Sequence, residues 1–125
     1  MKLRTFLIIV SIVALVYALG LILLPTTMLS IYGFGASAGD KLLSQFFGVE
    51  LLAVGLITWL ARDLTGASVR PVIMGSLIAD AVGAVVSIVG TLAGVMSSAG
   101  WSAVVIYVIF GLGFAYFQFM APAKT

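Results

Sequence analysis

Two acidic residues, Glu50 and Asp80, lie within long apolar segments and are the residues of this 125-residue chain best placed to do chemistry. Each acid lies about ten residues into its apolar segment, so both fall near the bilayer midplane if those segments span a membrane. An ionised acid at that depth costs about 2.5 to 3.5 kcal/mol, and keeping it protonated at neutral pH costs about 4 kcal/mol. Because the two penalties are similar, the sequence does not assign the charge state. Four means of compensation remain: a shared proton, a bound cation, a water-filled cavity or a basic group from a partner chain.

These acids have a functional and a structural interpretation. Intramembrane acids are by default functional candidates, which here means a proton or cation relay or a polar anchor for a bound ligand. The structural alternative is that each acid bonds to a Ser, Thr, Gln or Tyr side chain and fixes the helix register. If the two segments form an antiparallel hairpin, Glu50 and Asp80 could face each other, and one of two adjacent carboxyls would then retain a proton.

The composition excludes most other chemistry. Hydrophobic residues make up 63% of the chain and charged residues 8%, far from the balance of a soluble protein. The chain has no cysteine and no histidine, so it lacks thiol nucleophiles, imidazole bases and the usual zinc and haem ligands. We therefore expect no catalytic residue, no metal site and no cofactor. The six basic residues form no cluster, so nucleic acid is not an expected partner.

Four apolar segments are long enough to cross a hydrocarbon core of about 30 Å. We predict spans at residues 6–24, 41–60, 71–95 and 101–120, within one domain of residues 1–125. The first segment is longer than the apolar part of a secretory signal, so we expect an uncleaved helix. Asp40 is the predicted N-cap of the second span, and Pro71 opens the third. The predicted fold class is an all-α membrane protein, a four-transmembrane-helix bundle.

The basic residues predict the orientation of this bundle. Five of them fall on one side of the predicted spans: Lys2, Arg4, Arg62, Arg70 and Lys124. Only Lys41 falls on the other side, so the positive-inside bias predicts that both termini are cytoplasmic. We expect a multi-pass protein of the inner (cytoplasmic) membrane, solvated by lipid. Four residues are the expected interface anchors: Trp59, Arg62, Arg70 and Trp101.

Small residues recur every four positions in the third span. This ridge consists of Gly75, Ala79, Gly83, Ser87 and Thr91. A shorter ridge in the fourth span consists of Ala103, Tyr107, Gly111 and Ala115. Such ridges let neighbouring helices approach closely in lipid. They predict helix packing, either within the four-helix bundle or against a second copy or a partner subunit.

Several short motifs resemble those of DoxX-like small bacterial four-helix inner-membrane proteins. They are Tyr32-Gly33 in the first connection, Trp59-Leu60-Ala61-Arg62 at the end of the second span, and Gly100-Trp101 before Ile106-Tyr107. The resemblance covers roughly residues 24–117 and implies a bacterial cytoplasmic-membrane location. For some relatives it also implies association with redox or quinone-linked enzymes as a membrane subunit. The resemblance assigns no ligand-binding residue to this sequence.

The leading functional hypothesis is a non-enzymatic accessory or structural membrane subunit that packs through its small-residue ridges. The assembly would be homo-oligomeric or would contain other membrane subunits. The alternative is a proton- or cation-coupled small-molecule carrier, or a protein that binds a small hydrophobic ligand such as a quinone, with Glu50 and Asp80 as the binding residues. An enzyme ranks third, because two carboxylates alone provide neither a nucleophile nor a metal-ligand set.

Overall fold

The computed structural model describes residues 1–121 and contains four helices long and apolar enough to cross a membrane. The helices are α1 (Leu3–Leu23), α2 (Pro25–Ile31), α3 (Ala38–Ala61), α4 (Arg70–Leu92) and α5 (Gly100–Ala115). A 3-10 turn (Gly66–Ser68) precedes α4, and a π-helical turn (Tyr116–Met120) continues α5. No strand occurs within the described residues. When the π-helical turn is counted with α5, the spanning helices agree with the predicted segments to within three residues at each end. Lys124 lies outside the described residues.

The connection between the first two spans contains a helix that was not predicted. Pro25 stands in the first turn of α2, where its missing N–H is harmless and its fixed φ favours a helix. The prediction that Asp40 caps α3 was wrong by three residues, because Ser37 is the N-cap. The Ser37 hydroxyl accepts from the Asp40 backbone N–H at 3.1 Å, and the Asp40 carboxylate accepts from the Ser37 N–H at 2.9 Å. This reciprocal capping box satisfies two donors that the helix would otherwise leave free.

The spanning helices form two antiparallel pairs, and the first is α1 with α3. The Ser11 hydroxyl of α1 donates to the Gly55 carbonyl of α3 at 2.7 Å, and a Cβ atom at Gly48 would lie 3.0 Å from the Ala18 carbonyl. The absence of side chains at these glycines therefore allows the two backbones to approach closely. In the most apolar stretch of α1, 39% of the residues are buried, a larger share than in the other spanning helices. Helix α1 is therefore the most enclosed of the four.

The second pair is α4 with α5. Along this interface Asp80 lies opposite Gly111, Gly83 lies against the Tyr107 ring, and Gly100 lies against Thr91. In each of these pairs the two residue numbers add up to about 190, as they must for antiparallel helices in a single register. In the most apolar stretch of the span that contains α4, only 11% of the residues are buried, so most of that helix faces outward.

An apolar core joins the two pairs at the end of the molecule where α1 begins and α3 ends, which we call the basal end. Its buried residues are Leu3, Phe6, Leu7, Val10, Ala61, Val69, Ile73, Phe114 and Phe117. The Phe6 ring lies 4.9 Å from the Phe114 ring and 5.4 Å from the Phe117 ring, measured between centroids. This cluster is therefore the principal contact of α1 with α5.

Polar contacts join the two pairs at the opposite end, which we call the distal end. The Ser97 N–H donates to the Tyr32 carbonyl at 2.9 Å, and the Ser97 hydroxyl donates to the Ile31 carbonyl at 2.9 Å. Gly33 adopts a φ of 80° beside Ser97, a conformation that favours glycine. The two helix pairs are thus joined by an apolar core at one end and by loop hydrogen bonds at the other.

Candidate functional site

Glu50 lies on the exposed surface of α3. The buried residues in the span of α3 include Ser44, Gly48, Gly55 and Thr58, which form the face that packs on α1. At 100° per residue, Glu50 projects about 120° away from the centre of that face. Within residues 1–121 it makes no side-chain hydrogen bond and no ion pair. A carboxyl group therefore faces the surroundings of the bundle halfway along a spanning helix.

Asp80 is half-buried in the interface between α4 and α5. Its Oδ2 atom is buried and has no hydrogen-bond partner within the described residues. The residue opposite it on α5 is Gly111, where an added Cβ would lie 3.5 Å from the Asp80 Cβ. Because glycine has no side chain, α5 offers this carboxyl no donor at its own level. The phenol of Tyr107, one turn along α5, lies near Asp80 on the distal side.

The structure does not bring Glu50 and Asp80 together. Glu50 lies on the outer surface of α3, whereas Asp80 faces α5. Helices α3 and α4 contact each other little, because α3 packs on α1 and α4 packs on α5. The prediction that the two acids could face each other across a hairpin is therefore corrected. A similar depth did not make them neighbours, since each helix turns its packed face toward a different partner.

The small-residue ridge of α4 faces α5 only in its distal half. Gly83 packs on the Tyr107 ring, Ser87 is buried, and Thr91 lies against Gly100. In contrast, Gly75 and Ala79 are exposed, and nothing lies within 4 Å of a Cβ added at Gly75. Positions four apart rotate by about 40° per step around a helix, so a five-member ridge drifts away from a straight neighbour. On α5, Gly111 faces Asp80 and Ala115 is half-buried.

Two groups of residues were missed by the sequence analysis. The first is the α1–α3 contact, whose signal was the recurrence of Ser44, Gly48, Gly55 and Thr58 at coiled-coil spacing. The second is a group of hydroxyl residues near the distal end. There the Tyr32 hydroxyl donates to the Tyr17 hydroxyl at 3.3 Å, and Ser102 lies near Tyr17. No sequence signal links these three residues, because they come from three distant segments.

Charged residues gather in the loop and helix ends at the basal end. Arg4 forms an ion pair with Asp63 at 2.7 Å, and the hydrogen bond from Arg4 lowers the pKa of the Asp63 carboxyl below its ordinary value of 3.8. The Arg62 guanidinium donates to the Trp59 carbonyl at 2.6 Å and lies 4.2 Å from the Trp59 ring centroid. Arg70 donates to the Gln118 carbonyl at 2.9 Å.

A surface pocket of about 350 Å³ lies among these charges at the basal end. Lys2, Arg4 and Arg62 line it together with Asp63 and Thr65. At the other end of the bundle, Trp101 is exposed in the first turn of α5. The two tryptophans thus lie toward opposite ends of the spans, the positions that interface anchors occupy.

Comparisons with known proteins found no relative of this chain. No family model matches it, no curated protein matches it, and no solved structure matches it. The two acids, the open part of the α4 ridge and the distal hydroxyl group are therefore interpreted from this chain alone.

Proposed function

We propose that this chain is a non-enzymatic membrane subunit of a larger assembly, in which a different membrane chain covers the α3 face around Glu50. The observation that carries the proposal is that Glu50 is exposed halfway along a spanning helix and has no partner among residues 1–121. An acid at the centre of a spanning helix costs several kcal/mol when it faces lipid. A neighbouring helix that brings a hydrogen-bond donor or a cation removes much of that cost.

The charge of the missing neighbour follows from the composition of this chain. Its lysines and arginines all lie near the ends of the predicted spans, and it has no histidine. A second copy would therefore bring no cation to the depth of Glu50, and on a two-fold axis it would bring another Glu50. A different chain with a basic or amide side chain at this depth is the better complement. The surrounding surface is apolar and exposed, with Phe46, Ala53 and Ile57 on the same side of α3.

The open half of the α4 ridge supports the same proposal. Gly75 and Ala79 are small and exposed, and they leave room for a neighbouring backbone. In lipid, close approach at such residues is a main source of helix association, because apolar burial contributes little. Residues that are small yet unused inside the monomer are therefore expected to serve contacts outside it.

The location and orientation are part of the proposal. Arg4, Arg62 and Arg70 gather at the basal end, which supports a cytoplasmic basal end and an N-in topology in the inner membrane. The resemblance of the loops to DoxX-like proteins suggests a class of partner, a redox or quinone-linked membrane enzyme.

Photocrosslinking in intact membranes tests the contact. A benzophenone amino acid at Ala53, one turn from Glu50, is expected to form an adduct with a second membrane chain. The matched control is the same amino acid at Ala81, an exposed alanine of α4 at a similar depth. We expect the adduct at position 53 only, and we expect Glu50→Gln to weaken it several-fold.

Three outcomes would count against the proposal. Equal adducts from both positions would indicate random collision, and adducts with lipid alone would indicate a monomer. Adducts between two copies of this chain would indicate a homo-oligomer and not a complex with a different membrane chain. The mass of the adduct distinguishes these cases.

A second candidate function, a proton- or cation-coupled carrier, is supported only through Asp80. A carrier that uses both acids would need them to share a proton or an ion, and they lie on different faces of different helix pairs. Asp80 alone has a buried carboxylate oxygen that lacks a partner within residues 1–121. The photocrosslinking experiment does not test this second function, because Asp80 does not lie on the α3 face.

A further inference from the structure

The surroundings of Asp80 differ in chemistry toward the two ends of the bundle. On the basal side of Asp80 lies the apolar core around Phe6, Ile73, Phe114 and Phe117. On the distal side lie hydroxyl groups from α1, the first connection and α5. A carboxyl group between these regions therefore has a dry neighbour on one side and polar neighbours on the other.

Asp80 lacks a compensating group in its own interface. Its Oδ2 is buried and accepts no hydrogen bond within residues 1–121, and Gly111 faces it from α5. Ser76, one turn toward the basal end, is half-buried, and the next residue of that seam is the buried Ile73. No lysine or arginine lies near this depth in the sequence. A buried anion without a donor or a cation is unfavourable by several kcal/mol, and a bound proton removes that charge.

A series of hydroxyl residues leads from Asp80 toward the distal end. Tyr107 lies near both Asp80 and Tyr32, and the Tyr32 hydroxyl donates to that of Tyr17 at 3.3 Å. Ser102 lies near Tyr17 at the start of α5. Hydroxyl groups both donate and accept, so they can hold water molecules between them and pass a proton along without net change. Within residues 1–121, Tyr107 of α5 is the titratable group shown near Asp80, and Tyr32 follows it toward the distal end.

We propose that Asp80 is an intramembrane proton-binding site that exchanges its proton with the distal side only, past the hydroxyls of Tyr107, Tyr32 and Tyr17. In this step a proton from distal water adds to a carboxylate oxygen and gives the neutral acid. Release reverses the step along the same route. Beyond Ser76, the core residues of the basal end that the structure describes are mainly phenylalanine and aliphatic side chains, which have no hydroxyl to carry a proton to the other side. This inference does not depend on the partner proposed for Glu50.

Carbodiimide labelling in proteoliposomes tests the site and its sidedness. Dicyclohexylcarbodiimide is apolar and reacts with protonated carboxyl groups, and peptide mass mapping distinguishes an adduct at Asp80 from one at Glu50. Since the chain has no cysteine, Ser98→Cys in the exposed distal loop provides a unique marker. An impermeant biotin maleimide then selects the molecules whose distal end faces outward.

In the selected molecules, we expect labelling of Asp80 to rise several-fold when the external pH falls from about 8 to about 5, because only the protonated carboxyl reacts. A fall of the internal pH alone should change it little. Labelling that follows the internal pH, or both sides equally, would overturn the sidedness. The absence of any pH-dependent adduct at Asp80, with Asp80→Asn as the blank, would overturn the site.

Two tyrosine variants test the route. Tyr107→Phe keeps the ring against Gly83 but removes the hydroxyl nearest to Asp80 on the proposed route, so the response of labelling to external pH should slow several-fold. Tyr116→Phe, an exposed tyrosine at the basal end, is the matched control and should leave the response unchanged. Equal behaviour of the two variants would rule out the tyrosine route.

Discussion

The behaviour of single residues in this protein is determined by which donors reach them. Asp80 and Asp63 show the contrast. Asp80 has a buried oxygen that no donor of the described residues reaches, whereas Asp63 is exposed and accepts a hydrogen bond from Arg4 at 2.7 Å. The Asp80 environment arises because Gly111 presents no side chain to it. Local geometry, rather than depth alone, therefore distinguishes the acids of this chain.

Gly111→Ser should stabilise the fold relative to Gly111→Ala. A Cβ at this position would make ordinary contact with the Asp80 Cβ at 3.5 Å, so both variants fit. Only serine adds a hydroxyl that can donate to the Asp80 carboxyl, which is worth about 1 kcal/mol. The free energy of unfolding in mixed micelles measures the difference. An alanine variant as stable as the serine variant would show that Asp80 does not lack a donor.

The Arg4–Asp63 ion pair predicts a small dependence of stability on pH. The pKa of Asp63 is lowered from 3.8 in the folded protein, so the pair contributes stability above that value and loses it as the pH falls through the lowered pKa. We expect Asp63→Asn to lower the melting temperature slightly at neutral pH and to have no effect once Asp63 is protonated. Arg4→Gln should behave in the same way. A constant difference at all pH values would contradict the assignment.

At the scale of helices, glycines control how closely the elements pack. An added Cβ at Gly113 would overlap the buried Phe6 ring, while one at Gly75 would meet nothing within 4 Å. The first glycine lies at the contact between the two helix pairs, and the second lies on the open part of the α4 ridge. The same residue type therefore serves two different purposes in this chain.

Gly113→Ala should destabilise the purified protein by about 1 to 3 kcal/mol, because the rigid Phe6 ring must move. Gly75→Ala, the matched control, should be neutral or stabilising by up to about 1 kcal/mol, since alanine is the better helix former. Unfolding in detergent compares the two variants with the parent protein. Equal effects would mean that the α1–α5 contact at Phe6 does not hold the helices at this distance.

The sequence predicted the number and length of the spanning helices better than their rotation. Apolar length predicted all four spanning helices, because a helix must be long and apolar to cross lipid. It could not predict that Glu50 faces outward and Asp80 faces α5, because depth along a helix says nothing about rotation around its axis. The small residues Gly48 and Gly55 carried that information for α3, since they mark its packed face.

At the scale of the whole molecule, two helix pairs meet through an apolar basal core and through loop hydrogen bonds at the distal end. The tyrosines near the distal end, Tyr17, Tyr32 and Tyr107, come from α1, the first connection and α5, so only the folded chain brings them together. Halfway along the spans that the structure describes, the outer surface carries the acid Glu50, and an open run of small residues lies on α4 at Gly75 and Ala79. We interpret these two features as the contacts of a subunit.

Native mass spectrometry of the protein, released from membrane with its neighbours, tests that interpretation most directly. We expect a complex that contains this chain and a different membrane chain. Glu50→Gln should reduce this complex several-fold, and adding Gln45→Glu on the same helix to that variant should not restore it. A spectrum that contains only single copies of this chain, unchanged by Glu50→Gln, would contradict the proposed subunit role.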